Sequence, residues 1–240
     1  MIKGTVALPI WNMKEITWLC MESLCGQIRP EDGWELIIFE DGENKLGEDL
    51  FFSYEGRLLK AGCEMIKYFD SDCRYPLAMK WVMIASQSEG EYFCLCAGDN
   101  YYSPHMLVEA EQFIKLADWC VTTQGYFYDV NLDIVCRYDY YAPFGLQMTA
   151  KTELVKKFPL ESLNKGVDHW FSEKIQNKLI TGSQHWREIL ITNGLNHISY
   201  EREDLFKEPL PPYYETNVKL EEIIPIEIAK KLRLCRKLQS

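Results

Sequence analysis

The sequence has no apolar run longer than residues 92–97. A helix crossing a bilayer needs about 20 such residues, so no transmembrane helix is expected. Its 9 cysteines include no C-x-x-C pair, and most sit in apolar segments such as Tyr92-Phe93-Cys94-Leu95-Cys96. An odd number without metal-ligand spacing reads as reduced thiols packed as small hydrophobes, not a zinc site or a disulfide framework. Positive charge is scarce: 26 Lys+Arg face 36 Asp+Glu, a net charge of −10. Duplex DNA is held by clustered cations, so no nucleic-acid partner is expected. Residues 1–10 lack a basic start followed by a long apolar stretch and a small-residue cleavage site, so the reading is cytoplasmic. Repeats and low-complexity tracts are absent as well. What is present is 47% apolar and 13% aromatic residues over a length of 240, enough for a large core in one domain with a terminal appendage.

Four apolar runs lead the chain. Residues 5–10 read as a buried strand stopping near Pro9, which cannot donate to a ladder. Asn12 is placed to cap a following helix, with Glu15 completing a capping-box pair and Ile16, Leu19, Cys20 and Leu24 at helical spacing. Residues 34–39 form a second strand ending in Glu40-Asp41-Gly42, and 63–69 a third. Pro76 opens a helix as a first-turn proline, with Leu77, Trp81, Ile84 and Ala85 on the buried face and Lys80 and Gln87 off it. The fourth strand, 92–97, ends in Gly98-Asp99-Asn100. Strands alternating with helices predict a mostly parallel sheet covered on both faces. Such sheets bind ligands beyond the C-terminal ends of their strands, where this chain carries Pro9, Trp11, Glu40, Asp41, Asp99 and Asn100.

After a helix at 104–116 the rhythm changes. Residues 119–141 alternate aromatic and β-branched types as antiparallel strands would, with a turn at Asn131-Leu132-Asp133. Helices are expected at 151–157 and 167–178, and a loop with a short strand at 193–200. The Pro-containing segment 208–212 marks a linker, and 223–238 forms a basic amphipathic helix. That helix either docks on its own domain or contacts an anionic membrane surface or a partner protein.

Asp99 and Asn100 follow a buried strand in a glycine-initiated turn, where a hard cation would find oxygen ligands; Asp99 could equally cap the helix near Pro104. Two acidic tips on parallel strands repel unless a cation or a donor-rich ligand lies between them. Ala7-Leu8-Pro9-Ile10-Trp11-Asn12, then Trp34 to Gly42, then Gly90-Glu91-Tyr92 through Gly98-Asp99-Asn100, resemble the successive blocks of glycosyltransferase family 2 over residues 3–108. A later block, Gly166-Val167-Asp168-His169-Trp170, resembles the segment that supplies that family's catalytic base.

The resemblance implies a GT-A α/β fold, with a mostly parallel sheet flanked by helices and a smaller antiparallel, α+β acceptor half. Residues 1–207 would be the transferase domain, with 1–117 binding the nucleotide sugar and 118–207 facing the acceptor; 208–240 would be linker and helix. It implies an inverting glycosyltransferase of polysaccharide biosynthesis, hexosyltransferase-like, moving a sugar from a nucleotide-diphosphate sugar, a UDP-sugar above all, to a hydroxyl of a glycan or glycolipid. Pro9 and Trp11 would lie by the nucleobase, Asp41 or Glu40 would accept from it, and Lys80 would lie near the diphosphate. Asp99 matches the second acid of the D-x-D motif and would hold Mn²⁺ or Mg²⁺. His197 is the candidate further metal ligand, with His185 competing; His105 and His169 read as helix-surface or supporting residues. Asp168 would be the general base, with Glu161 as fallback, and burial beside Trp170 and Phe171 would raise its pKa. Tyr138, Tyr140, Tyr141 and Phe144 offer a platform for an acceptor sugar, or core packing. The sequence departs from the family at Ala97, where the first acid of D-x-D would stand, and at Asn100, in place of a third. Ala97 keeps open a binding module without turnover. A nucleotidyltransferase is the remaining alternative, disfavoured because Pro9-Ile10-Trp11-Asn12-Met13 is no glycine-rich phosphate loop.

Overall fold

Four strands run side by side in one direction: three are apolar runs that lie largely buried on both faces, and the fourth, Cys63–Ser71 at the sheet edge, is mostly half-buried. The structure, a computed structural model, describes residues 2–122, 124–130, 133–139, 148–158, 167–181, 188–192, 213–215 and 217–237. Its first half alternates β1 (Ile2–Trp11), α1 (Thr17–Cys25), β2 (Gly33–Asp41), α2 (Glu48–Phe52), α3 (Glu55–Lys60), β3 (Cys63–Ser71), α4 (Leu77–Ser86), β4 (Tyr92–Leu95), β5 (Tyr101–Tyr102) and α5 (Met106–Ile114). The second half holds β6 (Trp119–Thr122), β7 (Gln124–Asp129), β8 (Ile134–Asp139), β9 (Met148–Lys151), α6 (Thr152–Lys156), α7 (Val167–Lys174), β10 (Lys178–Thr181), β11 (Glu188–Thr192), β12 (Tyr213–Glu215) and α8 (Ile226–Lys237).

The main sheet has seven strands in the order β10-β6-β9-β4-β1-β2-β3. β1 pairs in parallel with β2 and β4, β2 with β3, and β6 with β10; β9 alone is reversed, antiparallel to both neighbours. Successive side chains leave a strand on opposite faces, so the sheet sorts its own residues into two cores. Val6, Leu8 and Ile10 join Trp34, Leu36 and Ile38 beneath α1 and α5. Ala7, Ile37 and Phe39 face the other way, against Ala78, Trp81, Ile84 and Ala85 of α4 and Val167 and Phe171 of α7. At the start of β2, Glu35 is wholly buried and accepts from Thr5 Oγ1 at 2.8 Å and from the amides of Glu89 and Gly90 at 2.6 and 3.1 Å. Lys67 Nζ completes its shell at 2.9 Å. Burial pushes its pKa up, but Lys67 and the donors outweigh this and hold it below the usual value.

Several sequence expectations shift. Asn12 caps no helix: it adopts a left-handed φ of 49°, and α1 starts at Thr17 behind Ile16 with no side-chain cap. Pro76 is the residue before α4, in extended backbone at ψ 144°, not its first helical residue. The 119–139 region is not uniformly antiparallel, because β6 pairs with β10 in parallel. A second sheet, β12-β8-β7-β11-β5, is mostly antiparallel, and β7 pairs antiparallel with β8; Asn131 and Leu132 of the expected turn lie outside the described residues. Residues 208–212, and the loop and strand read at 193–200, lie outside the described residues.

The C-terminal helix α8 packs on its own chain. Ala229 and Leu232 are fully buried and pack with Ile16 just before α1, Leu19 of α1 and Tyr128 of β7. Lys231 lies 3.8 Å from the Trp18 ring centroid, and Arg233 contacts Asp133 at 2.9 Å and pairs with Glu221. Among the described residues no helix is long and apolar enough to cross a membrane.

Candidate functional site

The order β4-β1-β2 brings three parallel strand tips side by side, as the strand pattern requires for a shared crevice. β1 ends at Trp11, in register with Asp41 at the end of β2. The chain leaves β2 through Gly42 at φ 106°, where a Cβ would stand 2.7 Å from Asn12 Oδ1 and 3.1 Å from Trp11 Cδ1. Glycine therefore serves both the backbone angle and the close passage of the indole. Trp11 is 38% exposed, and the Arg74 guanidinium lies 3.6 Å from its ring centroid.

Glu40 and Asp41 alternate across β2 and are both buried. Glu40 accepts from the amides of Leu46 and Gly47 at 2.8 and 3.2 Å and from Tyr68 OH at 2.8 Å. Asp41 accepts from the Tyr75 amide at 2.7 Å and pairs with Lys80, which also donates to Ile10 O at 3.3 Å. Burial draws the Lys80 ammonium below its ordinary pKa; the Asp41 carboxylate opposes this and the positive Arg74 adds to it. Two expectations are corrected here. Lys80 is not off the buried face of α4 but 4% exposed, because the strand-end carboxylate offers it a partner inside. The acidic tip of β2 is neutralised by the protein's own lysine and amides, so no ion between tips is needed to hold it.

At the tip of β4 the ladder continues through Cys96 N–H to Ala7 O at 2.9 Å, and the chain then turns, with Asn100 N–H to Ala97 O at 3.4 Å. The Ala97 amide donates to Tyr102 OH at 2.5 Å. A Cβ on Gly98 would press within 3.3 Å of both Met13 Sδ and Thr17 Oγ1, so α1 and this turn are in direct contact. Asp99 and Asn100 are 7% and 1% exposed. Burial, and then the nearby Asp99 charge, drive the Cys20 thiol far above its usual pKa, which keeps it inert. Asp99 does not cap the next helix: β5 intervenes, and α5 starts behind His105 without a side-chain cap.

Asp168 lies one residue into α7. Val167 and Phe171 are each 1% exposed and anchor that helix; the Phe171 ring lies 6.4 Å from Trp81 and 4.4 Å from Phe158. The side chains of Asp168, His169, Trp170 and Tyr138 are outside the described residues, as are Tyr140, Tyr141, Phe144, Glu161, His185 and His197. Among the described residues no group of three or more His, Cys, Asp or Glu gathers as a metal site. Asp99 is the carboxylate at the β4 tip, and Mg²⁺ can be held by one or two carboxylates when substrate phosphates complete its shell. A cavity of about 400 Å³ lies elsewhere, lined by Asp133, Val135, Lys219, Glu221 and Arg233 among others and by no strand-tip residue.

Sequence reasoning missed Arg74, Tyr68, Tyr75 and Tyr102. All four act through contacts with residues of another strand or loop, and none has a local spacing that would mark it.

No protein-family model matches the chain, and no curated protein is similar to it in sequence. Solved structures match in three dimensions. TarS 1–349 of S. aureus in complex with UDP-GlcNAc superposes with a TM-score of 0.64 at 18% identity, covering 82% of this chain and 61% of that one. The same fragment with UDP gives 0.61 at 17%, covering 99% and 87%. The mannosyltransferase PcManGT from Pyrobaculum calidifontis, in complex with GDP-Man and Mn²⁺, gives 0.57 at 10%, covering 88% and 66%. The chain thus spans about three fifths of the first of these. At such identities the likeness is one of fold, and the fold is the expected GT-A architecture, a mostly parallel central sheet flanked by helices.

Proposed function

We propose that the chain is an inverting glycosyltransferase that uses a nucleotide-diphosphate sugar, with a UDP-sugar as the first candidate, and glycosylates a hydroxyl of a glycan or glycolipid. The observation that carries this reading is the convergence of Trp11, the Asp41–Lys80 pair and Asp99-Asn100 at three adjacent parallel strand ends. Its support from outside is a fold shared with structures whose bound donors are UDP-GlcNAc and GDP-Man.

In this reading the base stacks at Trp11, and Pro9, Glu40 and Asp41 shape the floor of its slot. Lys80, fixed by Asp41, sets the position of the β2 tip. Asp99, with Asn100 beside it and His197 as the proposed further ligand, would hold Mg²⁺ or Mn²⁺. Such an ion, when bound, neutralises charge developing on the departing diphosphate. Asp168 takes the proton of the acceptor hydroxyl while that oxygen bonds to the sugar's anomeric carbon and the bond to the diphosphate breaks, giving a nucleoside diphosphate and an inverted glycoside. Positioning and electrostatic preorganisation supply the rest.

Ala97 favours a second reading, a donor-binding module without turnover, because a methyl stands where the resemblance calls for an acid. One set of measurements separates the two. UDP-, GDP-, dTDP- and CMP-sugars are titrated with and without Mn²⁺, and transfer is assayed for the chain and for Asp168→Asn. The enzyme reading expects metal-assisted binding of one nucleotide class, and an Asp168→Asn variant that binds donor but transfers about 10²–10⁴-fold more slowly. Binding without any turnover supports the module, and no binding of any nucleotide sinks both.

A further inference from the structure

The cations near the strand tips differ in what they are free to do. Lys80 is committed, sealed from solvent between Asp41 and Ile10 O. Lys45 bridges Asp70 and Asp72 at 2.6 Å each. Arg74 is exposed, and among the described residues no carboxylate pairs with it; its contact is the Trp11 ring face at 3.6 Å. In a chain of net charge −10, a guanidinium without a carboxylate partner at the C-terminal end of a parallel sheet has the chemistry to receive an anion.

Resting on the nucleotide-sugar reading, we propose that Arg74 is the residue that grips the diphosphate of the donor, leaving its stack on Trp11 to do so. The nucleobase takes over the indole face, and the released guanidinium turns to the phosphates, where its planar fork matches two oxygens at once. The exchange is favourable at both ends. A base stacked on an aromatic ring outweighs one exposed cation–π contact, and the displaced charge gains a charged partner it lacks at rest.

The loop geometry suits a movement confined to the side chain. Tyr75 N–H is tied to Asp41 Oδ2 at 2.7 Å and Cys73 N–H to Ser71 Oγ at 3.1 Å, so the backbone on both sides of Arg74 is anchored. Lys80 could not take this role without leaving Asp41 buried and unpaired. One consequence is discrimination by phosphate. A nucleoside must displace Arg74 with nothing offered in return, whereas a nucleoside diphosphate supplies the new partner.

The test is calorimetric titration of the full chain with uridine, UMP and UDP, and with guanosine, GMP and GDP, using the wild type, Arg74→Ala and Arg74→Lys. Arg74→Ala should weaken the preferred diphosphate about tenfold or more, equal to about 1.4 kcal/mol. Affinity for the matching nucleoside should stay constant or rise, and Arg74→Lys should recover part of the loss. Unfolding midpoints should be unchanged, since the side chain is exposed. Equal weakening of nucleoside and diphosphate would assign Arg74 to the base slot and overturn the proposal, as would no change in either. If the wild type binds none of the six probes, nor dTDP or CMP, the nucleotide-sugar reading fails and this proposal with it. Wild-type binding that Arg74→Ala leaves intact removes the Arg74 role alone.

Discussion

Lys80 of α4 and Asp41 at the tip of β2 form an ion pair with both side chains out of solvent, and the second Asp41 oxygen holds the Tyr75 amide at 2.7 Å. One carboxylate thus ties together β2, α4 and the loop bearing Arg74. Removing one member of such a pair strands the other in a dry setting, at about 3–5 kcal/mol. Lys80→Met should therefore lower urea stability by about 3 kcal/mol. The double variant Lys80→Met/Asp41→Asn should recover part of the loss, because Asn keeps an acceptor for Tyr75. Additive effects of the two substitutions would show that the pair is not coupled.

Trp11 is an exposed aromatic at the C-terminal end of β1. Trp11→Ala should weaken nucleotide binding by about 1–3 kcal/mol, the worth of stacking one base, while the unfolding midpoint changes little. Unaltered affinity in a titration with UDP or GDP would place the base elsewhere.

Phe171 joins α7 to the core at Trp81 and Phe158. Phe171→Ala should cost about 3–5 kcal/mol through the cavity it leaves. It should also slow sugar transfer more than it weakens donor binding, because α7 carries Asp168. Parallel losses in kcat and donor affinity would argue that α7 serves only the fold.

Glu35 is a buried contributor to the acid limb of the stability curve. Its pKa is held below the ordinary 4.5, so its stabilisation is complete above that value and is lost as pH falls through the lower folded value. Glu35→Gln should cost about 2 kcal/mol near neutral pH, the scale of hydrogen bonds to a charged group. The difference from wild type should narrow as pH drops below 4.5, followed by urea unfolding across pH 3–7. A pH-independent difference would mean that packing, not charge, accounts for Glu35.

Leu232 is the larger of the two fully buried side chains that anchor α8 among the described residues. Leu232→Ala should cost about 2–5 kcal/mol and expose the segment after residue 217 to limited proteolysis ahead of the main sheet. Simultaneous cleavage of both would make α8 part of one cooperative unit.

The sequence alone determined four strands and three helices of the first half and the residues at the strand ends, but not the short α2, α3 and β5. These features are local: short continuous apolar runs, helical spacing, and turns signalled by Gly42 and Gly98-Asp99. It also placed Asp99, Asp41 and Trp11 at one end of the sheet, since parallel strands joined by helices all finish on the same side. Helix starts were less legible, and Asn12 shows why: its polar side chain suited a cap, but the tight exit of β1 beside Gly42 required its left-handed backbone instead.

Only the tertiary structure decided which charges are free. Lys80 looked like a surface lysine because its neighbours along α4 do not reveal a carboxylate 39 positions away. Arg74 had no visible role because its partner, Trp11, belongs to a strand two elements earlier in the sheet order. Burial, ion pairing and stacking depend on residues remote in sequence meeting in space. The chain's local pattern could therefore fix which end of the sheet carries these residues but not which of the cations there are buried and paired.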